Sequence, residues 1–193
     1  DKLWDEKKYD ESRMRNDVNS FRLLAHFIGR DHRTWKKAER GVAWHKYTIS
    51  IIESFREDGK LPDAWFGRYW WAHFVTACTL FGTRKNKEEG YRYLERAFEL
   101  YAEWDKIPAG EALPVGCEEI YGGVKLIKGK DMLELPDGTR EPFDAWLFNR
   151  TMGNAYYGMT AERGWEWFNS VRDEGLFGEY IERARKLMGS ETD

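Results

Sequence analysis

The residues best suited to hold a ligand are Trp44, His45, Trp65, Tyr69, Trp70, His73 and Trp104. Tryptophan and tyrosine rings supply flat apolar walls and histidines supply polar anchors, the combination from which small-molecule and carbohydrate sites are built. The same residues also suit a second role, because aromatics recurring at helical steps fill the space between packed helices. A thiol and two carboxylates stand together at Cys117-Glu118-Glu119, with Tyr121 close by in a stretch rich in glycine and proline. Adjacent residues there point in different directions, so no nucleophile–base pair is defined and a solvated loop is the plainer reading. His26, His32, His45 and His73 contain no i, i+4 pair, and Cys78 and Cys117 have no zinc-like spacing. No glycine-rich phosphate loop, no GxSxG and no HExxH occurs, so the motifs lean away from an enzyme and indicate neither a metal nor a cofactor.

Several elements must position these side chains, and the central one is the run Asp63 to Gly82. Inside it Arg68 is the only full charge, so a helix of this sequence needs cover on nearly every face. Asp63 is the expected N-cap, entered through the stop at Asp58-Gly59. Upstream, the charged stretch Asp1 to Ser12, a short helix or an arm laid on the body, leads to Met14, Val18, Phe21, Ala25 and Ile28, the apolar side of a helix ending near Gly29. The next helix, Thr34 to Arg56, carries two adjacent stripes. Trp35, Ala38, Val42, His45, Ile49 and Ile52 make one, and Gly41, Trp44, Thr48, Ile51 and Phe55 the other. Downstream, Asn86-Lys87-Glu88-Glu89 has the spacing of a capping box. The helix it opens buries Leu94, Phe98 and Tyr101 beside Tyr93, Ala97, Leu100 and Trp104, and packs antiparallel on the aromatic helix.

Over residues 70–104 this pair resembles a tetratricopeptide repeat. Phe74, Ala77, Cys78 and Phe81 stand at the positions that characterise its first helix, and Gly90, Leu94 and Ala97 at the small, large and small positions of its second. The likeness spans one unit of about 34 residues. It implies a helical-repeat scaffold of the kind that holds a protein or peptide.

Beyond Lys106 the pattern changes. Val124-Lys125-Leu126-Ile127 and Met132-Leu133-Glu134-Leu135 read as the strands of a β-hairpin insertion at about 117–140, closed by Pro136-Asp137-Gly138. Helices resume at Pro142 with Phe143, Trp146, Leu147 and Arg150 on one side. They continue after a cap at Thr160 through Trp165, Phe168 and Val171, and end with Tyr180, Ile181, Ala184 and Leu187 before Gly189. The expected fold class is all-α in the main: a single helical domain over residues 1–193, an antiparallel bundle of repeat-like hairpins with a small β insertion.

Composition narrows the function classes. The 193 residues include 10 Trp, 10 Tyr and 11 Phe, with 41% hydrophobic and 34% charged residues, which excludes a disordered chain. A net charge of −3 gives no field toward polyanions. The local cluster Arg30, Arg33, Lys36, Lys37 and Arg40 is interleaved with Asp31 and Glu39 and reads as a solvated face, so nucleic acid is not the favoured partner. Arg68, His73, Thr76 and Thr79 argue against the aromatic run as a membrane span. Two cysteines without a disulfide framework fit a reducing, cytoplasmic compartment, and a start at Asp1 rather than Met is consistent with a preceding segment. The function expected is a non-enzymatic interaction or regulatory module, a sensor or assembly unit with a protein or peptide partner. The alternative is a small-molecule or carbohydrate-binding domain, or an enzyme, with an aromatic-lined pocket.

Overall fold

A computed structural model describes residues 6–29, 38–160 and 165–189. Its first half is helical: α1 (Glu6–Gly29), α2 (Ala38–Glu53), α3 (Ala64–Thr83) and α4 (Lys87–Asp105). There follow β1 (Ala112–Pro114), the short α5 (Glu118–Tyr121), β2 (Lys125–Ile127), β3 (Met132–Glu134) and β4 (Arg140–Pro142). The chain closes with α6 (Met152–Thr160), a 3-10 helix over Glu166–Ser170, and α7 (Gly175–Gly189).

The apolar run takes the centre, as its composition requires. Every residue of α3 from Gly67 to Phe81 is buried, and the helix packs against α2, α4 and the 3-10 helix. Its threonines cause no polar conflict, because Thr76 and Thr79 donate their hydroxyls to the carbonyls of Ala72 and Val75 at 2.7 and 2.5 Å. The expected N-cap does not form: Asp63 is itself helical (φ −59°, ψ −32°) and its carboxylate makes no cap bond. A tight turn does the work instead, with the N–H groups of Trp65 and Phe66 donating to Pro62 and Asp63 at 3.0 and 3.2 Å.

The N-cap at the start of α4 does form, with the return contact made by the Asn86 side chain. Asn86 accepts from the Glu89 N–H at 3.1 Å and its amide donates to the Glu89 carboxylate at 2.8 Å. Where α4 meets α3, a Cβ added at Gly90 would lie 2.5 Å from the Phe81 ring, so glycine lets the two helices close on each other. On the flank of α4, the hydroxyls of Tyr91 and Tyr180 donate to Glu174 and Glu95 at 2.6 and 2.7 Å, and Arg183 forks onto Glu95. These contacts hold α7 against α4.

The sheet is larger than the expected hairpin. Two strands alone are marginal in water, and here β1 and β4 flank β2 and β3 in an antiparallel meander ordered β1-β2-β3-β4. Register explains the gain. Leu113, Leu126 and Leu133 fall opposite one another and are all buried, while Lys125, Glu134 and Arg140 line up on the other face with ion pairs of 3.4 and 3.1 Å.

Other boundaries also move. α1 begins at Glu6, so most of the stretch expected as a short helix or an arm is continuous with the helix that follows, and α2 ends at Glu53, before the expected Arg56. Trp35 and the basic residues Arg30, Arg33, Lys36 and Lys37 lie outside the described residues. No helix starts at Pro142, which instead ends β4. Phe143 donates its N–H to Asp131 at 2.9 Å, and Asn149 accepts from Gly129 and donates to Lys130, so the β2–β3 turn captures the following segment. Thr160 is the last residue of α6 and its hydroxyl returns to the Tyr156 carbonyl at 2.8 Å, while residues 161–164, where the helix it was expected to cap would begin, lie outside the described residues. Buried apolar side chains from both halves form one contiguous cluster. Among the described residues no helix is long and apolar enough to cross a membrane.

Candidate functional site

The ligand candidates separate into distinct packing clusters. Trp65 stacks parallel on Phe55, with centroids 4.5 Å apart and planes at 8°, and meets Phe21 edge-on at 5.8 Å. Its indole N–H donates to the Val115 carbonyl at 2.7 Å, which ties the centre of the helical layer to the end of β1. Trp70 lies edge-on to Trp71 and Tyr101 at 5.2 and 4.9 Å. Trp104 packs at Gly67 on α3, and the Lys128 ammonium stands 4.7 Å over its ring. That ammonium also donates to the carbonyls of Trp104 and Ile107, closing the C-terminal end of α4. These are core positions with structural partners.

Tyr69 and His73 are brought together. Their rings meet edge-on at 4.8 Å, and Tyr93 of α4 lies 5.4 Å from His73 on another side. Neither ring nitrogen of His73 has a hydrogen-bond partner, and the residue is 7% exposed. Burial disfavours its charged form. The Arg96 guanidinium adds to that effect and the Glu53 carboxylate opposes it, so the imidazole is driven from an ordinary 6.5 to about 4.

This depression has a direct consequence for stability. The unfolded chain takes up a proton at this imidazole as pH falls through 6.5, and the folded chain only near 4. The contribution is therefore complete above pH 6.5 and lost progressively as pH falls from 6.5 toward 4. Its size is on the order of 3 kcal/mol. Urea midpoints measured through that window are expected to fall more steeply for the wild type than for His73→Leu. Parallel curves would contradict the assignment.

His45 is also buried, on α2, whereas its neighbour Trp44 is half-buried. Its ring lies 5.0 Å from Phe27 and 6.2 Å from Tyr47. Phe27 and Tyr47 are themselves exposed, as is Leu23 one turn earlier on α1, where 71% of its surface meets solvent. Leu23, Phe27 and Tyr47 are thus exposed apolar side chains contributed by two helices, with the half-buried Trp44 ring beside Phe27 and Tyr47. No motif marks Leu23 and Phe27. Their signal was in the sequence, as two large apolar residues four apart and offset from the Phe21, Ala25 and Ile28 stripe.

Around α1 from this surface opens a cleft of about 460 Å³, between Arg22, Ala25 and His26 and the segment Pro142 to Phe148. None of the seven candidates lines it. Arg22 is held at its rim by the Glu141 carboxylate and the Pro142 carbonyl at 2.9 and 3.0 Å. Trp146, exposed at the cleft, carries the Arg150 guanidinium 4.2 Å above its ring. Cys117 has a left-handed backbone (φ 49°), and its N–H donates to the Glu57 carboxylate at 2.6 Å, so this loop is docked on the turn that follows α2. Among the described residues no group of three or more His, Cys, Asp or Glu side chains is placed to hold a metal ion. No protein-family model, curated protein or solved structure matches this chain.

Proposed function

We propose that this chain is a non-enzymatic protein-interaction module whose partner surface is formed by Leu23, Phe27, Trp44 and Tyr47. The carrying observation is that large apolar side chains from α1 and α2 meet at the surface while an ample aromatic core is already filled elsewhere. Apolar side chains gathered in one exposed place are a recurring mark of protein contact. Aromatic rings among them supply anchors of low conformational cost. The occupant is an amphipathic segment of another protein, laying its apolar face across the last turns of α1.

The scaffold behind this surface is a helical-repeat-like hairpin of α3 and α4. Support for that reading comes from the close approach of Gly90 to Phe81 and from the burial of Leu94 and Ala97 on the same side of α4. A reducing, cytoplasmic setting suits Cys78 and Cys117, which form no disulfide. A small-molecule ligand is the second reading, and the cleft beside α1 favours it because its volume falls in the range of ligand pockets.

Selection of peptides from a displayed random library against the purified chain tests the first reading. Enriched sequences are expected to carry apolar or aromatic residues at helical spacing. Leu23→Asp and Tyr47→Asp are expected to weaken their binding by about tenfold or more, with the melting temperature unchanged. Failure to enrich any sequence, or binding indifferent to both substitutions, would remove the basis for the assignment.

A further inference from the structure

The cleft beside α1 has an apolar floor and polar edges drawn from two elements. Ala25, Phe143, Leu147 and Phe148, all buried, make the floor. α1 adds Arg22 and His26, one turn apart, and the segment after β4 adds Asp144 and Trp146. His26 and Asp144 are exposed, and among the described residues no hydrogen bond or ion pair engages the imidazole or the carboxylate. Both are therefore free to bond a ligand.

The two sides are fixed relative to each other. Arg22 ties them through Glu141 and Pro142, and Phe21, beside it on α1, packs on Phe143 and Phe148 at 5.5 and 6.1 Å. N–H bonds from Phe143 to Asp131 at 2.9 Å and from Phe148 to Ala145 at 2.8 Å hold the segment itself. Trp146, although 39% exposed, is braced too. The Arg150 guanidinium lies 4.2 Å over its ring and 5.0 Å from the ring of Trp71 in α3. A preformed site of this kind loses little entropy when it binds.

The balance of groups selects the ligand's charge. An anion would meet the Asp144 carboxylate and would find Arg22 already taken by Glu141. A cation would meet Arg22, and the indole it would sit on already carries a guanidinium. A neutral ligand with several hydroxyls meets neither obstacle. Asp144 accepts, His26 donates or accepts, and Arg22, both of whose bonds leave from Nη2, keeps further N–H donors. We propose that this cleft is a carbohydrate site, taking a neutral sugar ring with its C–H face on the Trp146 indole and its hydroxyls on Asp144 and His26. The volume of about 460 Å³ lies toward the small end of the range of ligand pockets, as a short saccharide requires. The assignment rests on the small-molecule reading of the cleft and names its ligand class. It is independent of the partner surface, because Leu23 and Tyr47 are not in the lining.

Proton–nitrogen correlation spectra of the whole chain test it, with the Trp146 indole signal identified by its loss in Trp146→Phe. The probes are the methyl glycosides of glucose, galactose, mannose and N-acetylglucosamine, with tetramethylammonium chloride, sodium benzoate and adenosine as comparisons. At least one glycoside is expected to shift the Trp146 indole and the Leu147 and Phe148 amides saturably, at lower concentration than any comparison probe. Asp144→Ala is expected to raise the half-saturating concentration by about tenfold or more, and Trp146→Ala to abolish the amide shifts. Both side chains are exposed, so both variants are expected to keep the wild-type spectrum elsewhere. Saturable shifts from a comparison probe at lower concentration than any glycoside would leave the cleft a ligand pocket and overturn the sugar assignment alone. Silence from every probe would overturn both. Glycoside shifts unaltered by Asp144→Ala and Trp146→Ala would place the sugar elsewhere and equally overturn the proposal.

Discussion

Gly67→Ala is expected to destabilise the chain by about 4 kcal/mol or more, lowering the melting temperature by on the order of 10 °C. The reason is geometric. A methyl group at this position would lie 1.9 Å from the Phe148 carbonyl oxygen and 3.0 Å from the Trp104 ring. The first obstacle is backbone, which cannot rotate away, so the whole segment between β4 and α6 must retreat from α3. Helix propensity would favour alanine over glycine by about 1 kcal/mol, so a simple surface-helix view gives the opposite sign. Circular dichroism melting decides between them: a stabilised or neutral Gly67→Ala would mean that the Phe148 backbone does not sit against α3.

Trp65→Ala is the second large effect, at about 3 to 5 kcal/mol. The indole is fully buried, stacked on Phe55 and in contact with Phe21 and Phe148, so truncation leaves a cavity between α1, α2 and the segment following β4. The same change strands the Val115 carbonyl, which takes the indole N–H at 2.7 Å. Trp65→Phe separates these contributions. It keeps much of the stacking area and loses the hydrogen bond, so it is expected to cost about 2 kcal/mol less than the alanine variant. Chemical denaturation of the two variants gives the comparison. Equal losses would assign the whole effect to the hydrogen bond and contradict the packing argument.

Both predictions concern α3, where sequence and structure agree most closely. The run Asp63 to Gly82 has no polar face to offer solvent, so its burial followed from composition alone. The capped start of α4 was legible for a similar reason, because Asn86 and Glu89 satisfy each other across one turn with no help from elsewhere. Features that depend on distant partners were not legible. Pro142 and Phe143 have the spacing of a helix start, but a hydrogen bond to Asp131 draws them to the sheet. The outer strands β1 and β4 each end on a proline and carry no run of strand-forming residues, and only the register that sets Leu113 beside Leu126 explains why β1 forms.

The candidate site shows the same division. Trp65, Tyr69, Trp70, His73 and Trp104 were singled out by residue type, but type does not distinguish a ring that lines a cavity from one that fills it. Trp65 and Trp104 proved to be ties between the helices and the sheet segment. Trp44 was grouped with them by composition and differs by position, since its ring neighbours are the exposed Phe27 and Tyr47. Arg68 drew notice as an exception in an apolar helix. Its hydrogen-bond partner, the Ile28 carbonyl, stands far along the chain, beyond the reach of any local pattern.

The most direct measurement is an amide and indole proton–nitrogen correlation spectrum of the chain, titrated with a peptide selected against it. The indole N–H signals of the 10 tryptophans report on every cluster at once. With the partner surface on α1 and α2, the shifts are expected at Leu23, Phe27, the Trp44 indole and Tyr47, with the indoles of Trp65, Trp70 and Trp104 unmoved. Shifts concentrated on those three indoles and on Tyr69 and His73, with Trp44 silent, would instead place the binding site in the aromatic interior and contradict the interaction-surface assignment.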